Sequence, residues 1–88
     1  MHGILLSIQP EGSVAIYGAT MDNTYFVFCD QDGIGFGSEP HAGLYIDHSL
    51  QNGSSHACKT YTNDQLSDET HFRIHRLEVW GFRLKNQL

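Results

Sequence analysis

Thr24-Tyr-Phe-Val-Phe-Cys29, followed after Asp30-Gln-Asp32 by Gly33-Ile-Gly-Phe-Gly37, decides the fold class. The first run is aromatic and β-branched, and it sets Tyr25, Val27 and Cys29 opposite Phe26 and Phe28, the period of two that marks a strand. Asp32-Gly33 supplies turn chemistry between the two runs. The second run alternates glycine with Ile34 and Phe36, which leaves one nearly bare face that another backbone or a helix can approach closely. Strand, turn, strand is an antiparallel unit.

The same reading extends outward in both directions. Gly3 to Ile8 is a compact apolar run closed by Pro10-Glu11-Gly12. Ser13 to Tyr17 follows, with Val14 and Ile16 on one face and Ala15 and Tyr17 on the other. Downstream, Gly43 to Asp47 is a further strand, ending in a polar loop from His48 to His56 in which Asn52-Gly53 is first of all a turn signal. Asn52-Gly53-Ser54 also fits the glycosylation acceptor pattern, which matters only in a secreted chain. Between Leu66 and Phe72 the polar run Ser-Asp-Glu-Thr-His has room for one helical turn, and nothing else is periodic enough for a helix.

In the closing stretch Phe72 and Ile74 share a face, but Leu77 and Val79 are out of phase with them by one residue. One extra residue restores the alternation, so the pattern predicts a β-bulge near His75–Arg76. Beyond it Trp80, Phe82 and Leu84 oppose Leu77 and Val79, which predicts a strand covered on both sides. Six or seven short strands at this spacing predict a mainly β protein, an antiparallel β-sandwich or part of one. A half-sandwich of this size has open sheet edges and incomplete cover for its aromatic faces. The expectation is that the chain pairs with something or is part of a longer protein.

Eighty-eight residues form at most one small domain, residues 1–88. A hydrophobic fraction of 40% is too high for a disordered chain. No apolar stretch approaches the length of a membrane span, and residues 1–18 lack the basic start and apolar core of a signal peptide. A cytoplasmic location without membrane insertion is the expectation. The formal net charge is −5, and all five basic residues (Lys59, Arg73, Arg76, Arg83, Lys85) lie in the last third. A surface without Lys or Arg before residue 59 is poorly suited to phosphate backbones, which argues against nucleic acid.

Candidate chemistry is sparse. Six histidines invite a metal reading, but no Cys-x-x-Cys pair or His-Glu-x-x-His helix accompanies them, and His71 and His75 straddle the expected bulge. Neither a metal nor a cofactor is expected. A hydrolase would draw on Ser54 or Ser55, His56, and Asp47 or Glu78, yet no Gly-x-Ser-x-Gly elbow is present. Loop hydrogen bonding explains Ser-Ser-His more simply. Cys58 stands beside Lys59 and two residues after His56, and a nearby positive charge raises a thiol's reactive fraction. It is the candidate redox thiol. Cys29, at the end of an aromatic strand, reads as core, and the two cysteines make no disulfide framework.

Gly43-Leu-Tyr-Ile-Asp47, then Leu50, Gly53, Ser55, Cys58-Lys-Thr-Tyr61, Asn63, Leu66-Ser67, Phe72 and Leu77-Glu-Val-Trp-Gly-Phe82 resemble the closing half of a TLDc domain. The upstream strands fit the middle of that domain more loosely. Ser38-Glu39-Pro40-His41 departs from the glycine run that family members carry before the Gly43 strand. The resemblance implies a β-sandwich flanked by a few helices, here one partial TLDc-like domain without the family's N-terminal half. It marks Gly43, Asp47, Gly53, Ser55, Thr60, Glu78, Trp80 and Gly81 as structural positions of the motif. It further implies a non-enzymatic module of oxidative-stress protection whose relatives bind the vacuolar proton-pumping ATPase, and include nuclear-receptor coactivators and Rab-GAP-linked proteins. The expected partners are therefore protein: pump subunits, and the remainder of a TLDc domain or another chain to complete the core.

Overall fold

The computed structural model describes residues 3–81, and within them the chain is all strand and turn. Seven strands run in order: β1 (Ile4–Ile8), β2 (Val14–Gly18), β3 (Phe28–Asp30), β4 (Gly33–Phe36), β5 (Leu44–Asp47), β6 (Asn52–Ser54) and β7 (His71–Arg73). β1 and β2 form a two-stranded antiparallel sheet, and β3 to β7 form a five-stranded antiparallel meander in sequence order. Mainly β with two antiparallel sheets is the architecture the alternation called for. Residues 66–70 bend without forming a helical turn.

Side-chain carboxylates set two of the turns. Asp30 Oδ1 accepts from the amides of Asp32 and Gly33 at 2.8 and 2.9 Å, closing β3 onto β4 with Asp30 opposite Gly33. Tyr45 on β5 donates its hydroxyl to the same oxygen at 3.1 Å. Asp47 shapes the β5–β6 turn: it accepts from the Ser49 hydroxyl at 2.6 Å, the Ser49 amide and the Asn52 side chain. Leu50, at φ 63°, carries the left-handed residue of that turn.

Glycines let aromatic rings cross the meander. Gly35 stands between Phe28 and Tyr45, and a methyl group at Gly35 would lie 2.2 Å from the Phe28 ring, so that ring lies over the bare glycine. Phe28 and Tyr45 then meet at 6.4 Å between centroids. Gly53, paired with Ile46 and Phe72, is covered the same way by the Phe72 ring on the opposite face. The bare face of Gly33–Gly37 thus receives a phenyl ring at Gly35 rather than a helix.

Five expectations are corrected. Thr24–Val27, read as the first part of an aromatic strand, lies outside any strand, and β3 is Phe28–Asp30 alone, since only those residues face β4 in the ladder. The His48–His56 segment contains a strand, β6, and Asn52-Gly53 lies in it; the turn sits earlier because Asp47 holds it there. Cys29 is exposed, because the meander begins with β3 and the side of that edge strand opposite Phe28 has little to cover it. No bulge forms at His75–Arg76: β7 ends at Arg73, since its only partner among the described residues, β6, is three residues long and the last rung is Ile74 N donating to Gln51 O at 2.7 Å. The chain beyond has no strand to pair with among the described residues, so Val79 and Trp80 are 90% and 79% exposed instead of covered. Phe82 and Leu84 fall outside the described residues.

β1 and β2 split their side chains by parity. Leu5 points inward and is buried, with Tyr17 and Ala19 packed around the core. Ile4, Leu6 and Ile8, cross-strand from Gly18, Ile16 and Val14, point outward, and all five aliphatic side chains of this face are about half exposed or more. No helix among the described residues is long and apolar enough to cross a membrane.

Candidate functional site

The most enclosed part of the molecule is a segment without regular structure, residues 55–66, wedged between the two sheets. Its buried positions are Ser55, Cys58, Thr60, Tyr61 and Asn63, of which Ser55 and Thr60 are wholly inaccessible. Burying polar groups demands partners, and each hydroxyl and amide here has them. Ser55 Oγ donates to Gly43 O at 2.6 Å and accepts from Leu66 N at 2.8 Å. Thr60 Oγ1 donates to Asn23 Oδ1 at 2.6 Å and accepts from Ser38 N at 3.0 Å. Thr60 O accepts from Thr20 N at 2.8 Å, and the Tyr61 hydroxyl donates to Phe26 O at 2.9 Å. Burial, then Cys58, pushes the Tyr61 phenol above its ordinary pKa.

Cys58 lies at the centre of this plug, 5% exposed. Its thiol donates to Asn63 Oδ1 at 3.0 Å, and Asn63 is held in that orientation because its Nδ2 donates to the carbonyls of His56 and Asp64. Gly37 and Gly43 make room for the sulfur: a methyl group at either would stand 2.7 or 3.1 Å from it. Gly37 also has φ 83°, which side chains rarely adopt. Residues 38–40 pass over the thiol. Lys59 N donates to Glu39 O at 2.8 Å and to Ser38 O at 3.2 Å, and Pro40 bridges to Cys58. Beside this strap opens a cleft of about 350 Å³ lined by Glu39, Pro40, Ala57, Cys58, Lys59 and Asn63, among others.

Three histidines meet next to the plug. His41 and His56 are in ring contact, 4.5 Å between centroids at 38°, and His71 on β7 approaches His56 edge-on at 6.4 Å. Burial, followed by the neighbouring His41 and His71, holds His56 below the ordinary imidazole pKa. Sequence reasoning paired His71 with His75 and missed this cluster, because the contact depends on where the strap and β7 fall in space and leaves no spacing signal. Among the described residues no group of three or more His, Cys, Asp or Glu is arranged to hold a metal.

The remaining motif positions divide. Gly43 backs the plug, where a methyl group would meet Leu5, Asn63 and Cys58, and Gly53 accepts the Phe72 ring. Asp47 is a turn cap, its carboxyl pulled down to about 2 chiefly by the Ser49 hydroxyl, with Asn52 adding to it. Glu78, Trp80 and Gly81 lie exposed after β7. The hydrolase set is not assembled around Ser55, whose hydroxyl is committed to two main-chain groups.

Asp47 gives a pH signature. A carboxyl whose pKa is lower folded than unfolded stabilises the fold fully above its unfolded value, about 3.8, and loses that contribution as pH falls toward 2. Amide exchange at Ser49 and Asn52 is expected to accelerate between pH 4 and 2 relative to amides of the β4–β5 ladder, once intrinsic rates are divided out. In Asp47→Asn the two sites are expected to exchange fast at every pH. Equal protection in variant and parent would remove Asp47 as the organiser of the turn.

Comparison with known proteins places this arrangement. A family model described as TLDc domain matches residues 1–83. Oxidation resistance protein 1 of Bos taurus is 36% identical over 69 residues, 77% of this chain and 8% of that protein. The protein of the same name from Homo sapiens is 37% identical over 68 residues, 76% of the chain and 8% of its own length. Nuclear receptor coactivator 7 of Homo sapiens is 37% identical over 62 residues, 69% of the chain and 7% of that protein. The chain therefore spans about 8% of the length of the oxidation resistance proteins it matches. Because the family match takes in both sheets, the buried plug and the Trp80 stretch, the chain belongs to the TLDc domain family.

Proposed function

We propose that this chain is a non-enzymatic TLDc-type interaction module, linked to oxidative-stress protection through its relatives, that binds the vacuolar proton-pumping ATPase and influences it. The observation that carries the reading is the outer face of β1–β2. Ile4, Leu6, Ile8, Val14 and Ile16 form one uncharged aliphatic surface left in water, and contiguous apolar patches on soluble proteins mark surfaces that meet other polypeptide. Pump binding rests on the family resemblance, as does a cytoplasmic location. The alternatives have less support. A ready redox thiol needs access that Cys58 lacks, and a serine nucleophile needs a hydroxyl that Ser55 has already committed.

Affinity capture tests the reading. The immobilised chain is expected to enrich peripheral-sector pump subunits from a lysate rich in the pump, and Leu6→Asp with Ile16→Asp is expected to abolish the enrichment. Absence of pump subunits from the parent eluate would overturn pump binding. Retention by the double variant would move the binding surface off the hairpin.

A further inference from the structure

We infer that residues 38–41 are a proton-sensitive strap over Cys58: acidification charges the His41–His56 pair, lifts the strap and opens the thiol to solvent. This goes beyond the interaction reading and does not depend on it.

The geometry supplies each part. His41 follows Pro40, the residue bridged to Cys58, and His56 precedes Cys58 by two positions. One ring therefore rides on the strap and the other on the plug, and they touch at 4.5 Å. Two main-chain bonds and one side-chain hydroxyl hold the strap: Lys59 N donates to Glu39 O and Ser38 O, and Ser38 N donates to Thr60 Oγ1. Two neutral imidazoles tolerate this contact, but two imidazolium ions at the same distance repel and pull against those bonds. His71 stands edge-on to His56 from β7 at 6.4 Å and disfavours the charged form of that ring.

Glu69 and Arg73 share a shallow pocket with His71, one acid and one base. Glu39 on the strap and Lys59 and Asp64 on the plug side line the thiol cleft. Asp47, beside His71 in a shallow pocket with Tyr45, is engaged by Ser49 and Asn52. Burial first, and then His41 and His71, disfavour the protonated form of His56. Proton uptake is therefore weaker with the strap closed than with it open. The closed state is favoured above the free imidazole value, about 6.5, and loses that advantage as pH falls below it.

The test uses the 88-residue chain carrying Cys29→Ser, so that Cys58 is the single thiol. Labelling by a dipyridyl disulfide, which stays reactive in acid, is measured at pH 7.5 and 5.0 and divided by the rate for the urea-unfolded chain at each pH. Protection of Cys58 is expected to fall about fivefold between the two, and to stay level in His41→Gln, whose exposed side chain is not needed for folding. Amide exchange at Lys59 is expected to rise in parallel while the β4–β5 ladder stays protected. Protection that does not change with pH, an equal loss in His41→Gln, or simultaneous loosening of the ladder would each overturn the strap.

Discussion

Gly33→Ala is expected to cost about 3 kcal/mol of folding free energy, read as a lower urea midpoint at unchanged slope. A methyl group there would lie 2.1 Å from Ile46 O and 2.9 Å from both Asp47 Cα and the Tyr45 hydroxyl. Gly33 pairs with Asp30 on one side and Asp47 on the other, so the nearest obstacles are main-chain atoms already fixed by the ladder. A flexible side chain could swing aside; a carbonyl in the middle of a sheet cannot do so without breaking its neighbours. Gly18→Ala is the comparison, because nothing lies within 4 Å of its methyl group. It is expected to shift stability by about 0.5 kcal/mol or less. Similar midpoints for the two variants would mean that the register around β4 is wrong.

Ser55→Ala is expected to be comparably severe, about 3 kcal/mol, although it removes one oxygen atom. That oxygen satisfies two main-chain groups at once, the Gly43 carbonyl and the Leu66 amide, in a place water does not reach. Deleting it orphans both, and an unsatisfied buried group costs more than a hydrogen bond contributes when intact. The loss also frees the plug at its entry, beside the bond from Ser55 N to Thr70 O. Ser54→Ala, one residue earlier in β6 and only half buried, is expected to cost about 1 kcal/mol or less in the same urea titration. If Ser55→Ala matched it, the plug would be held by something other than its hydroxyl.

The strands were legible where the sequence alternates and the turn chemistry is local. Only the end of the Thr24–Cys29 run joined a hairpin: Phe28–Asp30 pairs with Gly33–Gly35 across the tight Gln31-Asp32 turn. Thr24–Val27, aromatic and β-branched, stays outside any strand because it has no neighbouring strand to pair with among the described residues. β6 stayed hidden because Asn52-Gly53 carries a turn signature, while the actual turn is organised by the Asp47 side chain reaching forward to Ser49 and Asn52. Parity separates two faces without saying which is covered, so Val14 and Ile16 proved to be outside and Cys29 exposed at an edge.

The site was less legible for a related reason. Cys58 and Ser55 were named from their neighbours in sequence, Lys59 and His56, yet the partners that define their roles, Gly37, Gly43, Asn63 and Leu66, are decided by tertiary packing. The segment 55–66 lacks regular structure, yet it is also where burial is greatest. The Trp80 stretch shows the converse. Its hydrophobicity reads as core, and among the described residues no strand is in position to cover it.

The polar plug and the uncovered β1–β2 face together shape how stability responds to temperature. The heat-capacity increase on unfolding comes from apolar surface newly wetted, and exposure of polar surface subtracts from it. Here Ile4, Leu6, Ile8, Val14 and Ile16 are largely wet before unfolding starts, and the most enclosed groups are the hydroxyls and amide of Ser55, Thr60 and Asn63. Both features reduce the curvature of the free-energy dome. The chain on its own should therefore lose stability gradually on either side of its optimum, with a small enthalpy change that varies little with temperature.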